Sequence, residues 1–127
     1  MEQYLEKFTA LTKTVSVTNH FITGGTYSCT PKITKGVGKV NNVANRYVVE
    51  MVANVTGTPE KPFPMDLSIT FVGFFNFNGG EEQQIIEWLN FEGAKMLYPK
   101  LVEKVNEITG AVMGSPFNLL PEFPFKK

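Results

Sequence analysis

The residues of this chain that could take part in catalysis are few and lie far apart. The one histidine, His20, has no acid–nucleophile pattern beside it, and the one cysteine, Cys29, has neither a CxxC neighbour nor a flanking base. Glu81 and Glu82 form an acid pair, but negative charge at that place complements the dipole of a following helix. One His, one Cys and carboxylates without calcium-loop spacing do not make a metal site. We therefore expect no enzyme, no metal and no cofactor.

Charge and length narrow the class of protein further. Twelve Lys and Arg balance twelve Asp and Glu over 127 residues, so the basic footprint of a nucleic-acid-binding protein is missing. The first residues lack the order of a signal peptide, and the apolar runs are far shorter than the roughly 20 residues that span a bilayer. We expect one domain over residues 1–127, in the cytoplasm and without membrane insertion.

Aromatic residues are the unusual feature of the composition. Eleven Phe, four Tyr and one Trp are many for this length, and aromatic side chains dominate both protein cores and protein interfaces. Six of them flank or follow the helix-like segments and could line a groove: Trp88, Phe91, Tyr98, Phe117, Phe123 and Phe125. For Tyr98 and Phe117, core and groove remain equal alternatives. Phe123 and Phe125, separated by Pro124, are expected to meet a partner or a subunit interface.

The elements that must position these residues follow from periodicity. Alternation of polar and apolar residues predicts four strands, at about 11–19, 27–34, 46–56 and 65–77. Residues 1–10 fit either a turn of helix or a strand. Gly and Asn make 35–42 a flexible hairpin connection. The last two strands each have a strongly apolar face, as in an antiparallel sheet that is covered on one side.

The period changes after Gly80, where helical spacing begins. It predicts a short helix around Ile85 to Leu89, a break at 90–93 and a longer helix at about 94–109, with Gly110 or Gly114 at its end. The buried stripe of the long helix is Leu97, Leu101, Val105, Ile108 and Val112. The predicted fold is α+β: a four-stranded antiparallel meander with two helices packed on one face.

Three segments of the chain resemble the SecB family of protein-export chaperones. Gly73–Gly79 is similar to the family's G-x-F-x-(apolar)-x-G strand end, and Met96–Glu103 is similar to its "ILFPYARE" helix start. Met113–Pro121 is similar to its "GGFPPLLLPP" run. Together with the order of the elements, the similarity spans roughly residues 45–124.

This resemblance implies a fold, an assembly and a function. It implies a sheet with helices on one face, a dimer of dimers, and a holdase that keeps client chains unfolded without ATP. Clients would lie in hydrophobic grooves lined by aromatic residues. The peptide-binding positions that it implies are Trp88, Phe91, Tyr98, Phe117, Leu119 and Leu120.

Two departures from the family argue against docking of its translocase motor. The polar face of the fourth strand offers Asp66 but continues with Ser68 and Thr70, and the chain ends Phe-Lys-Lys without an acidic or cysteine-bearing tail. Two functions therefore stay open. One is a holdase for unfolded polypeptides, with or without a role in export. The other is an oligomeric adaptor or chaperone for one dedicated partner, such as an antitoxin.

Overall fold

The computed structural model describes residues 1–22, 31–58, 60, 63–114, 120 and 122–126. The predicted turn at 23–26 and the first part of the strand predicted at 27–34 lie outside these residues. The elements are a 3₁₀ turn at Glu2–Tyr4, β1 at Leu5–Asn19, β2 at Lys32–Lys39, β3 at Arg46–Val55, β4 at Met65–Phe77, α1 at Glu82–Trp88, a π-helical turn at Leu89–Gly93 and α2 at Ala94–Met113.

The four strands form one antiparallel sheet in the order β1-β4-β3-β2. β2, β3 and β4 make the predicted meander. The prediction of a meander through all four strands was wrong, because β1 pairs with β4 rather than with β2. Phe8 of β1 lies opposite Phe75 of β4, and their rings stack with centroids 4.7 Å apart. β1 thus extends the apolar face of β4 and covers its second edge, which buries the most hydrophobic strand of the chain.

Two of the predicted strand boundaries also needed correction. β1 begins at Leu5, so the ambiguous first residues are a short 3₁₀ turn followed by strand. β2 continues through residues 35–39, which the sequence predicted to be a connection. The glycines of this segment lie opposite Val48 and Glu50 on one face, while Ile33 and Val37 face the helix. The alternation was therefore present, but glycine on the solvent-facing side masked it.

The two predicted helices are pieces of one helical run from residue 82 to 113. The predicted break at 90–93 is a π-helical turn, and the backbone on both sides of it keeps helical angles. A side chain at Gly93 would place its Cβ 2.7 Å from Cδ2 of the buried Leu89, so glycine lets the turn close without ending the helix. α2 ends at Met113 and is capped by Gly114, one of the two predicted end positions, with φ of 85°.

The core lies between the helical run and one face of the sheet. Leu97, Leu101 and Val105 of the predicted stripe are fully buried, and Ile108 and Val112 are partly buried. The sheet contributes the inward residues of β3 and β4: Tyr47, Val49, Met51, Ala53, Val55, Met65, Leu67, Ile69, Phe71, Phe75 and Phe77. The predicted covered face of the sheet is confirmed.

In the described part of the chain, no element covers the opposite face of the sheet. On this face the Arg46 guanidinium lies 4.6 Å from the centroid of the Phe74 ring. Lys13 and Glu50 form an exposed ion pair at 3.4 Å across this face. The helical side therefore holds most of the buried aromatic surface, and the candidate site is on that side.

Candidate functional site

Four aromatic side chains meet on the helical side of the domain, where Phe123 contacts the other three. We call them the aromatic row: Phe91, Tyr98, Phe123 and Phe125. The ring of Phe123 lies 5.6 Å from that of Phe91 and 5.5 Å from that of Tyr98, centroid to centroid. Phe125 continues the row at 5.5 Å from Phe123. All three contacts are close to edge-to-face, which is a favourable geometry for aromatic pairs.

The helical run and the end of the chain supply two residues each to the row. Phe91 lies in the π-helical turn and Tyr98 lies in the first turns of α2, seven residues further on. Residues 122–126, here called the tail segment, run over them. Phe123 and Phe125 are partly buried, whereas the residues beside and between them are exposed. This alternation is that of an extended segment with one side against a surface.

Two lysines approach the faces of the outer rings. Lys35 of β2 places its ammonium nitrogen 5.0 Å from the centroid of Phe125 and donates a 2.8 Å hydrogen bond to Oδ1 of Asn90. The same nitrogen also donates to the backbone carbonyl of Asn90. Desolvation lowers the pKa of Lys35 from its usual value. Lys95 lies 5.6 Å from the centroid of Phe91, so cations flank both ends of the row.

Tyr98 is the most buried member of the row, with 4% of its surface exposed. The same burial raises the pKa of its hydroxyl above the usual value. Phe123 packs edge-to-face against its ring. Tyr98 therefore presents a dry apolar surface, and Phe123 of the tail segment covers it.

The structure brings together only part of the peptide-binding set that the resemblance implied. Phe91 and Tyr98 face each other across Phe123. Trp88 instead packs on the sheet, 6.4 Å from the ring of Phe75 and 6.1 Å from that of Phe77. Leu120 is 8% exposed and belongs to the core. Phe117 and Leu119 lie outside the described residues.

Phe123 and Phe125, which were expected to meet a partner or a subunit interface, pack in part on their own chain and keep part of their surface exposed. Phe123 sits against the helical run and Phe125 sits under Lys35. The two lysines were not predicted as site residues. Lys35 comes from an edge strand that is far from the row in sequence, and no spacing rule connects it to an aromatic tail.

A second groove lies on the other side of α2, between that helix and β1. It encloses about 580 Å³, and its lining is apolar on the sheet side and charged on the helix side: Phe8, Thr9, Ala10, Phe71, Lys100, Glu103, Lys104 and Glu107. Within the described ranges, no three His, Cys, Asp or Glu side chains come together so as to hold a metal ion. Among these residues there is also no helix with the length and apolarity to cross a membrane.

Fold and site define an α+β protein with one helical layer on an antiparallel sheet and an aromatic row beside the helix. No protein-family model matches the sequence, and no curated protein matches it significantly. A solved structure does match: the Mycobacterium tuberculosis SecB-like chaperone Rv1957 in complex with a ChAD peptide from the Rv1956 HigA1 antitoxin. The TM-score is 0.69 at 14% identity, over 92% of this chain and 87% of that chain. The fold is therefore SecB-like, as the three similar segments implied.

Proposed function

We propose that this protein is an ATP-independent holdase chaperone that binds unfolded or non-native polypeptide along the aromatic row. The observation that carries the proposal is the tail segment itself. Phe123 packs against Phe91 and Tyr98, and Phe125 packs on Phe123 under Lys35. The residues beside and between them are exposed, which is how an unfolded client would offer alternate apolar side chains. The SecB-like fold supports the same function, since the matching structure is a chaperone with a bound peptide.

The chemistry of the row suits a client of variable sequence. Burial of apolar surface is favourable and non-directional, so aromatic rings accept many side chains without requiring one particular partner. Tyr98 supplies a desolvated ring, and Lys35 and Lys95 add attraction for further aromatic faces. Each contact is weak. Several rows in one assembly would raise the total affinity by avidity.

Aggregation of a denatured client tests this proposal directly. We expect the protein, at several-fold molar excess and without ATP, to suppress the light scattering of a client diluted from denaturant. An unrelated folded protein of similar size at the same concentration is the control. Scattering as high as in that control would overturn the holdase function.

A second candidate function is a chaperone for one dedicated partner. It is favoured by the matching structure, whose bound peptide comes from an antitoxin. Competition separates the two candidates. Unrelated unfolded peptides should displace the client of a general holdase, whereas a dedicated chaperone should keep its partner. We do not extend the proposal to a translocase motor, because Asp66 pairs with His20 at 3.0 Å and is followed on its face by Ser68 and Thr70.

We further propose that the protein self-associates through β1. This strand lies at the edge of the sheet, and in the described part of the chain it pairs only with β4, so its outer edge can accept another strand. Leu11 and Val15 on it are 51% and 46% exposed. Sedimentation at micromolar concentration should show a dimer or a larger assembly. Val15→Lys, which adds a charge at an exposed position, should shift the protein toward monomer; a wild-type monomer would contradict the proposal.

A further inference from the structure

We infer that the helical part of the aromatic row, Phe91 and Tyr98, together with Lys35 selects extended segments with two aromatic residues two positions apart. We further infer that the tail segment fills this site as a competitor within the same chain. Clients would bind by displacing residues 122–126. The inference rests on the proposed function and adds to it both a preference for one kind of client segment and a built-in inhibitor.

The tail segment has the arrangement of a bound ligand. Phe123 is held between two rings of the helical run, and Phe125 is held under a lysine of the sheet, so its two contacts are on different elements. Glu122, Pro124 and Lys126 are exposed. Only the two rings are used for contact, which defines the pattern aromatic-x-aromatic in extended backbone.

Lys35 gives the outer position its selectivity. Its ammonium group lies over the face of Phe125 and is fixed by Asn90 on the π-helical turn. An aromatic ring gains a cation–π contact at this position, whereas a basic side chain would meet a like charge. The favoured client segment therefore carries its second aromatic residue here and no Lys or Arg in that place.

The tail segment can be displaced because it is only partly buried. Phe123 and Phe125 both keep part of their surface exposed. The tail segment competes well because it is attached to the same chain. A short tether gives it an effective concentration at the site on the order of 1 mM. If the free segment binds with a Kd on the order of 0.1 mM, the attached tail lowers the apparent affinity for a client about tenfold.

Fluorescence anisotropy of a labelled Glu-Phe-Pro-Phe-Lys peptide, which has the sequence of the tail segment, tests the inference. We expect Phe123→Ala protein to bind this peptide about tenfold more tightly than wild type. The peptide with both Phe replaced by Ala should bind neither protein. Phe74→Ala is the matched control, since Phe74 is also partly buried under a cation but lies on the other face of the sheet.

Several results would overturn the inference. If Phe123→Ala binds the peptide no more tightly than wild type does, Phe123 is part of the binding site and does not compete for it. An equal gain in peptide affinity for Phe74→Ala would indicate a general loosening of the structure. A gain that grows with protein concentration would indicate that the tail of a second copy occupies the site. If Phe123→Ala loses its helical circular dichroism, Phe125→Ala is used in its place. It should also bind the peptide more tightly than wild type, and unchanged affinity would overturn the inference.

The light-scattering assay keeps this inference separate from the proposed function. Wild type and Phe123→Ala that both fail to suppress aggregation would end the holdase proposal, even if the peptide data show the tail competing for the row. If both proteins suppress aggregation but Phe123→Ala gains no peptide affinity, the holdase function stands and the competition by the tail segment is ruled out.

Discussion

Replacing Phe75 with alanine is expected to lower the free energy of unfolding by about 3–5 kcal/mol. Phe75 has none of its surface exposed, and its ring lies 4.7 Å from that of Phe8 and 6.4 Å from that of Trp88. It therefore joins β1, β4 and the helical run at one point of the core. Its removal leaves a cavity that three elements would have to fill together. Chemical denaturation followed by circular dichroism measures the change.

The neighbouring Phe74 is the matched control for this prediction. It has the same side chain on the same strand, but it points to the face that no described element covers, and its ring contact is Arg46. Phe74→Ala should cost about 1 kcal/mol, from partial burial and one cation–π contact. Equal losses from the two variants would contradict the one-sided core.

The parts of the fold that were predictable depend on local pattern. β3 and β4 alternate without interruption, so their bounds agree with the structure within one residue. Leu97, Leu101 and Val105 follow the helical period and are buried as predicted. In each case the solvent-facing and core-facing positions differ strongly in polarity, and that contrast is readable from the sequence.

The parts that were not predictable depend on tertiary contact. The partner of β1 is decided by Phe8 stacking on Phe75, and the two are far apart in sequence. The continuity of the helix at 90–93 is decided by the fit of Gly93 against Leu89. Glycine and asparagine are turn signals in a sequence. Packing against the sheet overrode that signal here.

In the candidate site, too, some positions were predictable from the sequence and some contacts were not. The resemblance implied Phe91 and Tyr98 as groove positions, and the helical run places both against Phe123. The contacts of the tail segment were not foreseen, because nothing in the sequence connects Phe125 to Lys35. An apolar tail can cover its own chain or a partner. The sequence alone does not give the three-dimensional contacts that decide between them.

Phe91→Ala is expected to weaken client binding about tenfold, or about 1.4 kcal/mol, while changing the free energy of unfolding by less than about 1 kcal/mol. Phe91 is partly exposed on the π-helical turn, and its ring packs edge-to-face against Phe123 of the tail segment. Both the client and the tail lose this contact in the variant. The measurement therefore belongs in a Phe123→Ala background, where the competing ring is absent and anisotropy reports the client alone.

Replacing Tyr98 is expected to affect stability as well as client binding. With 4% exposure it is part of the core as well as of the row, so Tyr98→Ala should lower stability by about 2–4 kcal/mol in addition to weakening binding. Tyr98→Phe keeps the ring and should keep client affinity. If Phe91→Ala loses as much stability as Tyr98→Ala, Phe91 is also a core residue and the row has no accessible binding surface. If only Tyr98→Ala loses stability while both lose affinity, the row is a peptide site built on a core residue.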